Sequence, residues 1–448
     1  MRTLMLASAA TLALAAVSAK AETVAIVHAH LLTMGKAGAV DGTLVIKDGQ
    51  IAAVGADVAP PAGARIIDAK GAVVTPGLIS TDTAIGAVEV EGVRETRDEG
   101  TSAPTLGAAF DVQYSLDPDS LLIPIVRATG VTRAVATPVL GGGHGGADEE
   151  GDSRDFTAGA ESGGFAGRGL FAGQAAVIHL GQGTDILAKP HAAMVAELGE
   201  TGAGRVGGGK AAAYQTLKGA LDDARHFAKN RAAYDKNAAR PYSLSREDLE
   251  ALIPVVEGKE PLLIAVHRAA DIRLVLKLAR EEKIKVILDG AEEGWRVASE
   301  IAAAHAPVVL DGEADLPASF ESRGAALENG ARLNAAGVSV AIHGPSLFTG
   351  GRTPRFAAGR AVAYGLPYEA ALASVTINPA QMFGVADKVG SLDVGKDADV
   401  VIWSGDPLET TSAPTAVFVK GVEQSLRNRD LELRDRYLKR DEHPGYTR

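Results

Sequence analysis

The chain has 448 residues, a length for about three domains of 150 residues each, or for one (β/α)8 barrel of around 250 residues with additions. Hydrophobic residues make up 46% and charged residues 23%, a globular usage that excludes disordered, collagen-like and coiled-coil chains. The absence of cysteine excludes disulfides, thiolate metal sites and cysteine nucleophiles, and a formal charge of −11 without a long basic run argues against a nucleic-acid surface.

At the start, Arg2 leads into an apolar run from Leu4 to Val17, and small residues follow to Ala19-Lys20-Ala21. The pattern predicts an export signal over residues 1–21 with an A-x-A cleavage site. The run is shorter than the roughly 20 residues that span a bilayer, and no cysteine follows it to carry a lipid. The expectation is a periplasmic or secreted protein without a membrane anchor.

Residues 22–75 read as short β-runs separated by turns. Asp48-Gly49 between two alternating runs is a hairpin signal, because both turn positions favour φ > 0. The same grammar returns only in residues 389–425. Neither piece has enough strands for a core of its own, so the expectation is one small β-sandwich built from both chain ends. His28 and His30 fall on its first strand as surface residues.

Residues 76–388 alternate strand and helix. VVTPGLIS, GVTRAVATP and AAVIHLG are the early strands; PLLIAVH, KVILDG, PVVLDG and VSVAIHG are the later ones, most of them followed by helical segments. Continuous apolar strands followed by amphipathic helices predict parallel strands covered by helices. Seven strands are legible, and a fourth, sought between Gly199 and Leu262, is not. Eight strands closing as a (β/α)8 TIM barrel is the fold expected, since no phosphate loop follows the first strand as in a doubly wound sheet. Ser245-x-x-Asp248 approximates a capping box, and residues 211–236 form a long amphipathic helix. The glycine-rich stretches Gly141–Gly146 and Gly204–Gly209 lack a Lys-Ser/Thr partner and read as loops. Residues 426–448 form a charged tail.

VVTPGLIS after a small β-domain, together with TINPAQMFGVADKVGSLDVGKDADVVIWSGDP, resembles the amidohydrolase superfamily, particularly its imidazolonepropionase-like and cyclic-amidase-like members. The resemblance implies a hydrolase of C–N bonds other than peptide bonds, acting on a small amide, cyclic amide or dipeptide-like substrate. It also implies a site at the C-terminal mouth of the barrel, where a metal activates water. The family's H-x-H pair falls on Asp82 and Ala84. Its fifth-strand histidine is His267; its sixth-strand histidine falls at Asp289 or Gly290. Its eighth-strand aspartate has no counterpart in VAIHGPS, and a fourth-strand lysine has none, Lys210 being poorly placed.

A different set of residues could rebuild a site. Strand phasing puts His179, His267 and His343 at strand ends, with Asp82, Asp289 and Asp311 ending other strands and His144 in a loop. The candidate catalytic residues are Asp82, His267 and Asp289, and the candidate metal ligands are His267, His179 and His343, holding one divalent ion such as zinc. The bland alternative is that these histidines line a polar mouth without a metal. Function therefore divides between a hydrolase with an unusual metal site and a catalytically inactive member that binds a small ligand or pairs with a homologous amidohydrolase, with a metal-free hydrolase using an Asp-His pair as a third reading. A homodimer is a family-level expectation. His305 reads as a helix end, and His191, His226 and His443 lack a constellation.

Overall fold

The computed structural model describes residues 22–90, 92–103, 105–140, 169–344 and 350–438. The export signal, the Gly141–Gly146 stretch with His144, and His443 lie outside the described residues. The strands sort into two eight-stranded sheets. The first begins with β1 (Val24–Leu32), β2 (Ala39–Lys47), β3 (Gln50–Gly55), β4 (Arg65–Asp68) and β5 (Val73–Pro76). Asp48 and Gly49 turn the β2–β3 hairpin with φ of +52° and +81°, as the dipeptide predicts. In β1 the register shifts between Ile26 and Ala29, and His28 takes the irregular position with φ +50°. His28 and His30 face outward, their Nδ1 atoms 3.0 Å from Asp68 and 2.6 Å from Asp41.

The second sheet is the barrel. It runs β6 (Leu78–Thr83), β7 (Val131–Ala136), β8 (Phe171–His179), β9 (Leu187–Glu197), β10 (Leu262–Val266), β11 (Val286–Gly290), β12 (Val308–Asp311) and β13 (Val340–His343) in sequential order. β13 comes back into contact with β6 and nearly closes the ring. Around it lie α1 (Leu122–Arg127), α2 (Glu200–Arg205), α3 (Lys210–Tyr234), α4 (Arg246–Val256), α5 (Ala269–Glu282), α6 (Ala298–Ala303), α7 (Asn329–Ala335), α8 (Pro354–Ala363), α9 (Tyr368–Ser374) and α10 (Ile377–Met382). Ser245 caps α4, its Oγ accepting from the Asp248 amide at 3.1 Å. Alternate strand residues such as Ile79, Val135, Val177, Val195, Leu263, Ile287, Val309 and Ala341 fill the barrel interior, joined by Phe383, Val385 and Val389.

Two expectations need correction here. The third strand, β8, is not parallel: it pairs antiparallel with both β7 and β9. The fourth strand lies before Gly199, not after it. β8 and β9 form a hairpin, and β9 then runs parallel to β10. A hairpin needs only a short turn where a parallel pair needs a long crossover, so the fourth strand follows the third within eight residues and no helix separates them.

The chain then returns to the first sheet with β14 (Val400–Trp403), β15 (Pro414–Val419) and β16 (Val422–Glu423), β14 pairing antiparallel with β5. Val24, Ile26, Leu31 and Leu44 from the first segment bury against Leu392, Val400, Ile402 and Phe418 from the last. α11 (Arg429–Leu438) follows, with no buried residue. No described helix is long and apolar enough to cross a membrane. The junction between the sheets is polar at one point. Arg133 on β7 donates from Nε to Asp399 at 2.6 Å and from a terminal nitrogen to Asp397 at 3.0 Å. The side chains of Arg133 and Asp399 are only 4% and 3% exposed. Removing one member of such a pair strands a buried charge, at a cost of about 3–5 kcal/mol. Arg133→Met should therefore lower the urea midpoint sharply, and adding Asp399→Asn should recover part of the loss; a double variant no more stable than the single one would show that the pair is not the stabilising contact.

Candidate active site at the barrel mouth

Parallel strands bring their C-terminal ends to one side, and at that side stand Asp82 on β6, Glu197 on β9, His267 after β10, Asp289 on β11, Asp311 on β12 and His343 on β13. Asp82 holds φ +51°, in the left-handed region that a non-glycine residue rarely adopts and that collects at functional sites. His267 sits against Glu292, Nδ1 to Oε2 2.7 Å. That contact depends on Gly290: a Cβ there would come within 2.6 Å of His267 Nδ1, and its φ is +79°. His343 donates from Nδ1 to the Gly344 carbonyl, 2.6 Å away; a carbonyl only accepts, so Nδ1 carries a proton.

The ionisation states are set by crowding. Burial pushes the Glu197 carboxyl up to about 7, with His267 opposing and the neighbouring Asp82 reinforcing the shift. Burial also raises Asp289, again with Asp82 reinforcing it. Burial works against charge on His267, yet the Glu292 hydrogen bond and the surrounding carboxylates outweigh it and push the imidazole up to about 9. His343 moves upward for the same reason, through Asp82, Asp289 and Asp311. At neutral pH the mouth thus holds imidazolium beside carboxyl groups that share too few protons to be all neutral or all charged.

The predicted residues divide in space. Asp82, His267, Asp289 and His343 come together. His179 does not: because β8 is reversed, it ends its strand at the opposite side, level with Arg133. There its Nε2 meets the Asp185 carbonyl at 2.7 Å and its Nδ1 lies 3.2 Å from the Gly181 amide. Burial and the nearby Arg133 charge lower its pKa, so it is a neutral structural histidine. Lys210 is bound to Asp271 at 3.0 Å and to Glu321, a structural role over the mouth. His191 pairs with Asp111 at 2.8 Å. Ala84 offers no donor.

Glu197 and Glu292 are the site residues that the sequence does not single out, and Gly290, placed there only at a ligand position, serves instead to make room for His267. Glu197 stands at the end of the fourth strand, where the resemblance implies a lysine. Its signal was a lone acid closing the apolar run HAAMVAEL. The donor types at the mouth suit a divalent ion. Among the described residues, however, no three His, Asp or Glu side chains converge to hold one. As arranged, the residues do not fit the metal, and no step is derived through it. Beside β8 and β9 a cavity of about 660 Å³ opens, lined by Leu106, Leu140, Phe171, Arg205 and Asp248 among others, a volume suited to a small organic molecule.

Residues 265–424 match the model of the amidohydrolase family. An amidohydrolase crystal structure from Thermotoga maritima superimposes with a TM-score of 0.76 at 21% identity, covering 90% of this chain and all of that one. The amidohydrolase match thus covers the C-terminal part of the chain, residues 265–424, and the fold of the Thermotoga protein extends over nearly all of it. Molinate hydrolase is a more distant structural neighbour, with a TM-score of 0.51 at 19% identity over 91% of this chain and 95% of that one. A fungal protein, the amidohydrolase tasK of Hapsidospora irregularis, is 49% identical over 61 residues, which are 14% of this chain and 6% of that protein. The aligned part of this chain thus spans only a small fraction of that relative's length.

Glu197 links the mouth to stability. Its carboxyl rises from 4.5 to about 7 in the folded protein. Folding therefore bears no penalty below about pH 4.5, accumulates one as pH rises through that interval, and carries the full penalty above it. The shift corresponds to about 3 kcal/mol at most, since one pKa unit is about 1.4 kcal/mol. Glu197→Gln should nearly match the parent protein in urea unfolding at pH 4 and exceed it by about 2 kcal/mol at pH 8. An equal difference at both values would place the origin of the gain elsewhere.

Proposed function

We propose that this protein is an amidohydrolase that hydrolyses a C–N bond in a small amide, cyclic amide or dipeptide-like substrate, using carboxyl and imidazole groups at the mouth. The observation that carries the reading is Glu197, a carboxylate that ionises near neutrality beside a protonated His267. A general base works best when its pKa lies near the working pH, and a neighbouring pair with separated pKa values supplies base and acid together. Glu197 takes a proton from water as its oxygen attacks the carbonyl carbon. Asp289, held protonated by burial and by Asp82, donates a hydrogen bond to the carbonyl oxygen as negative charge develops there. When the C–N bond breaks, His267 protonates the departing nitrogen and recovers a proton from Glu197, so protons balance over the cycle. Glu292 holds the imidazole in place.

A second reading, capture of a small ligand without turnover, is favoured by one observation: Ala84 has a methyl group where the family resemblance calls for an imidazole. Export to the periplasm through residues 1–21 belongs to either reading, as does association with itself or with a homologous amidohydrolase.

Release of amine or ammonia from a panel of small amides, cyclic amides and dipeptides tests the first reading, with and without dialysis against a chelator. Asp289→Asn and Glu197→Gln should each lower kcat/KM at least a hundredfold, mostly through kcat. The rate should rise through about pH 7 as Glu197 ionises and fall towards pH 9 as His267 loses its proton. Activity that vanishes with the chelator and returns with zinc would overturn the proton-transfer chemistry; panel compounds that bind without any turnover would favour capture.

A further inference from the structure

On the side of the barrel opposite the mouth, beneath the N-terminal ends of β10 to β13, lies a second and larger cavity of about 1180 Å³. This exceeds the usual 300–1,000 Å³ of small-molecule sites. Its lining carries six cations, Lys189, Lys259, Arg273, Lys277, Arg280 and Lys285, against the single carboxylate of Glu300. The chain as a whole carries −11, so this concentration of positive charge runs against its composition. The floor is apolar, formed by Ala192, Val286, Ile287, Pro307, Val338 and Met382.

The six cations are not all committed elsewhere. Arg273 grips Glu300, with contacts of 2.8 to 3.0 Å. Lys259 reaches Glu257 at 2.7 Å and Lys277 reaches Glu281 at 3.8 Å, both in exposed pairs that contribute little. Lys189 donates to the Phe383 carbonyl at 2.9 Å and to that of Gly384 at 3.2 Å, which positions its ammonium without neutralising it. Two acids lie near Lys189, Glu260 and Asp387, and burial pushes the Glu260 carboxyl up to about 8, so at neutral pH it is largely uncharged. Arg280 and Lys285 have no ion-pair partner among the described residues. Arg280 comes from the last turn of α5 and Lys285 from the residue before β11, so two different elements direct unpaired cations at one cavity.

From this juxtaposition we propose that the cavity under the barrel binds an organic anion, with an apolar body resting on the floor and a phosphate-like or polycarboxylate group met by Arg280, Lys285 and Lys189. Arginine suits a planar or tetrahedral oxyanion through paired N–H donors, and lysine adds point charge. The apolar floor separates this ligand class from inorganic ions, which would leave it wet. The site is independent of the mouth: none of its residues belongs to the acid and imidazole set.

The probe is 1-naphthyl phosphate, a dianionic group on an apolar ring, titrated calorimetrically into the full chain, with inorganic phosphate and 1-naphthol as its two halves. Saturable binding near one equivalent is expected, at least tenfold tighter than either half and weakened by salt. Arg280→Glu with Lys285→Glu should weaken it at least tenfold, and the milder Arg280→Gln with Lys285→Gln should give an intermediate loss. Lys47→Glu, an exposed change in the other sheet, should leave it unchanged. Circular dichroism confirms that each variant is folded. No saturable binding, an affinity untouched by both double variants, or inorganic phosphate binding as tightly as the probe would each overturn the proposal.

Discussion

The buried contact of Arg133 with Asp399 fixes how the two sheets meet, and much of the remaining architecture is arranged around it. Asp399 is engaged on every side: its carboxylate takes the Arg133 guanidinium and the Lys420 amide at 2.8 Å, while its carbonyl accepts from Gly77 at the entry to the barrel. Asp397 adds a second carboxylate to the same guanidinium. The segment Lys396-Asp397-Ala398-Asp399 is thus a junction between chain end, sheet and barrel, which explains in physical terms why a charged run can precede a strand as buried as β14. Nearby, Trp403 closes the interface with apolar area, its Nε1 donating to Thr75 at 2.9 Å. Gly130 leaves room for the indole: a Cβ there would come within 2.5 Å of the ring. A charged clamp and a packed aromatic fix the relative position of two sheets that share no strand.

The reversed β8 has the larger effect on chemistry. Because it runs against its neighbours, the imidazole at its end, His179, is delivered to the junction and not to the mouth. The hairpin then lets β9 resume the common direction, so the residue that arrives at the mouth from this part of the barrel is Glu197. One change of strand direction therefore exchanges a histidine for a carboxylate at the site. It also brings a third acid close to Asp82 and Asp289, and this crowding shifts the Glu197 and Asp289 protonation states towards neutrality. Burying carboxylates together is costly. The barrel core of apolar side chains below them supplies the stability that such a cluster consumes.

How far the sequence could be read follows from what periodicity encodes. Alternation marks the faces of a strand, so Asp82, His267, Asp289 and His343 were legible as strand-end residues, and the Asp48-Gly49 turn was legible because it demands left-handed backbone. Alternation is silent about direction. Nothing in AAVIHLG distinguishes a strand running up the barrel from one running down, and the parallel assumption carried His179 to the wrong end. β9 was hidden for a related reason: Lys189, Pro190 and His191 break its apolar run, and it follows β8 where a helix was expected. The roles of Glu292 and Gly290 were invisible because they exist only in pairs, the glycine making space that the His267–Glu292 bond fills.

The two ends of the barrel now carry opposite electrostatic character, acidic at the mouth and basic beneath. What keeps them from neutralising each other is the layer between. Strands of four or five residues at about 3.3 Å per residue separate the ends by roughly 15 Å, beyond the screening length of about 8 Å at physiological salt. Phe383, Val385 and Val389 pack with the apolar strand residues of the interior between them. At the mouth the carboxyl groups are offset by the raised imidazoles of His267 and His343, whereas the cations of the lower cavity are met by the single lining carboxylate of Glu300.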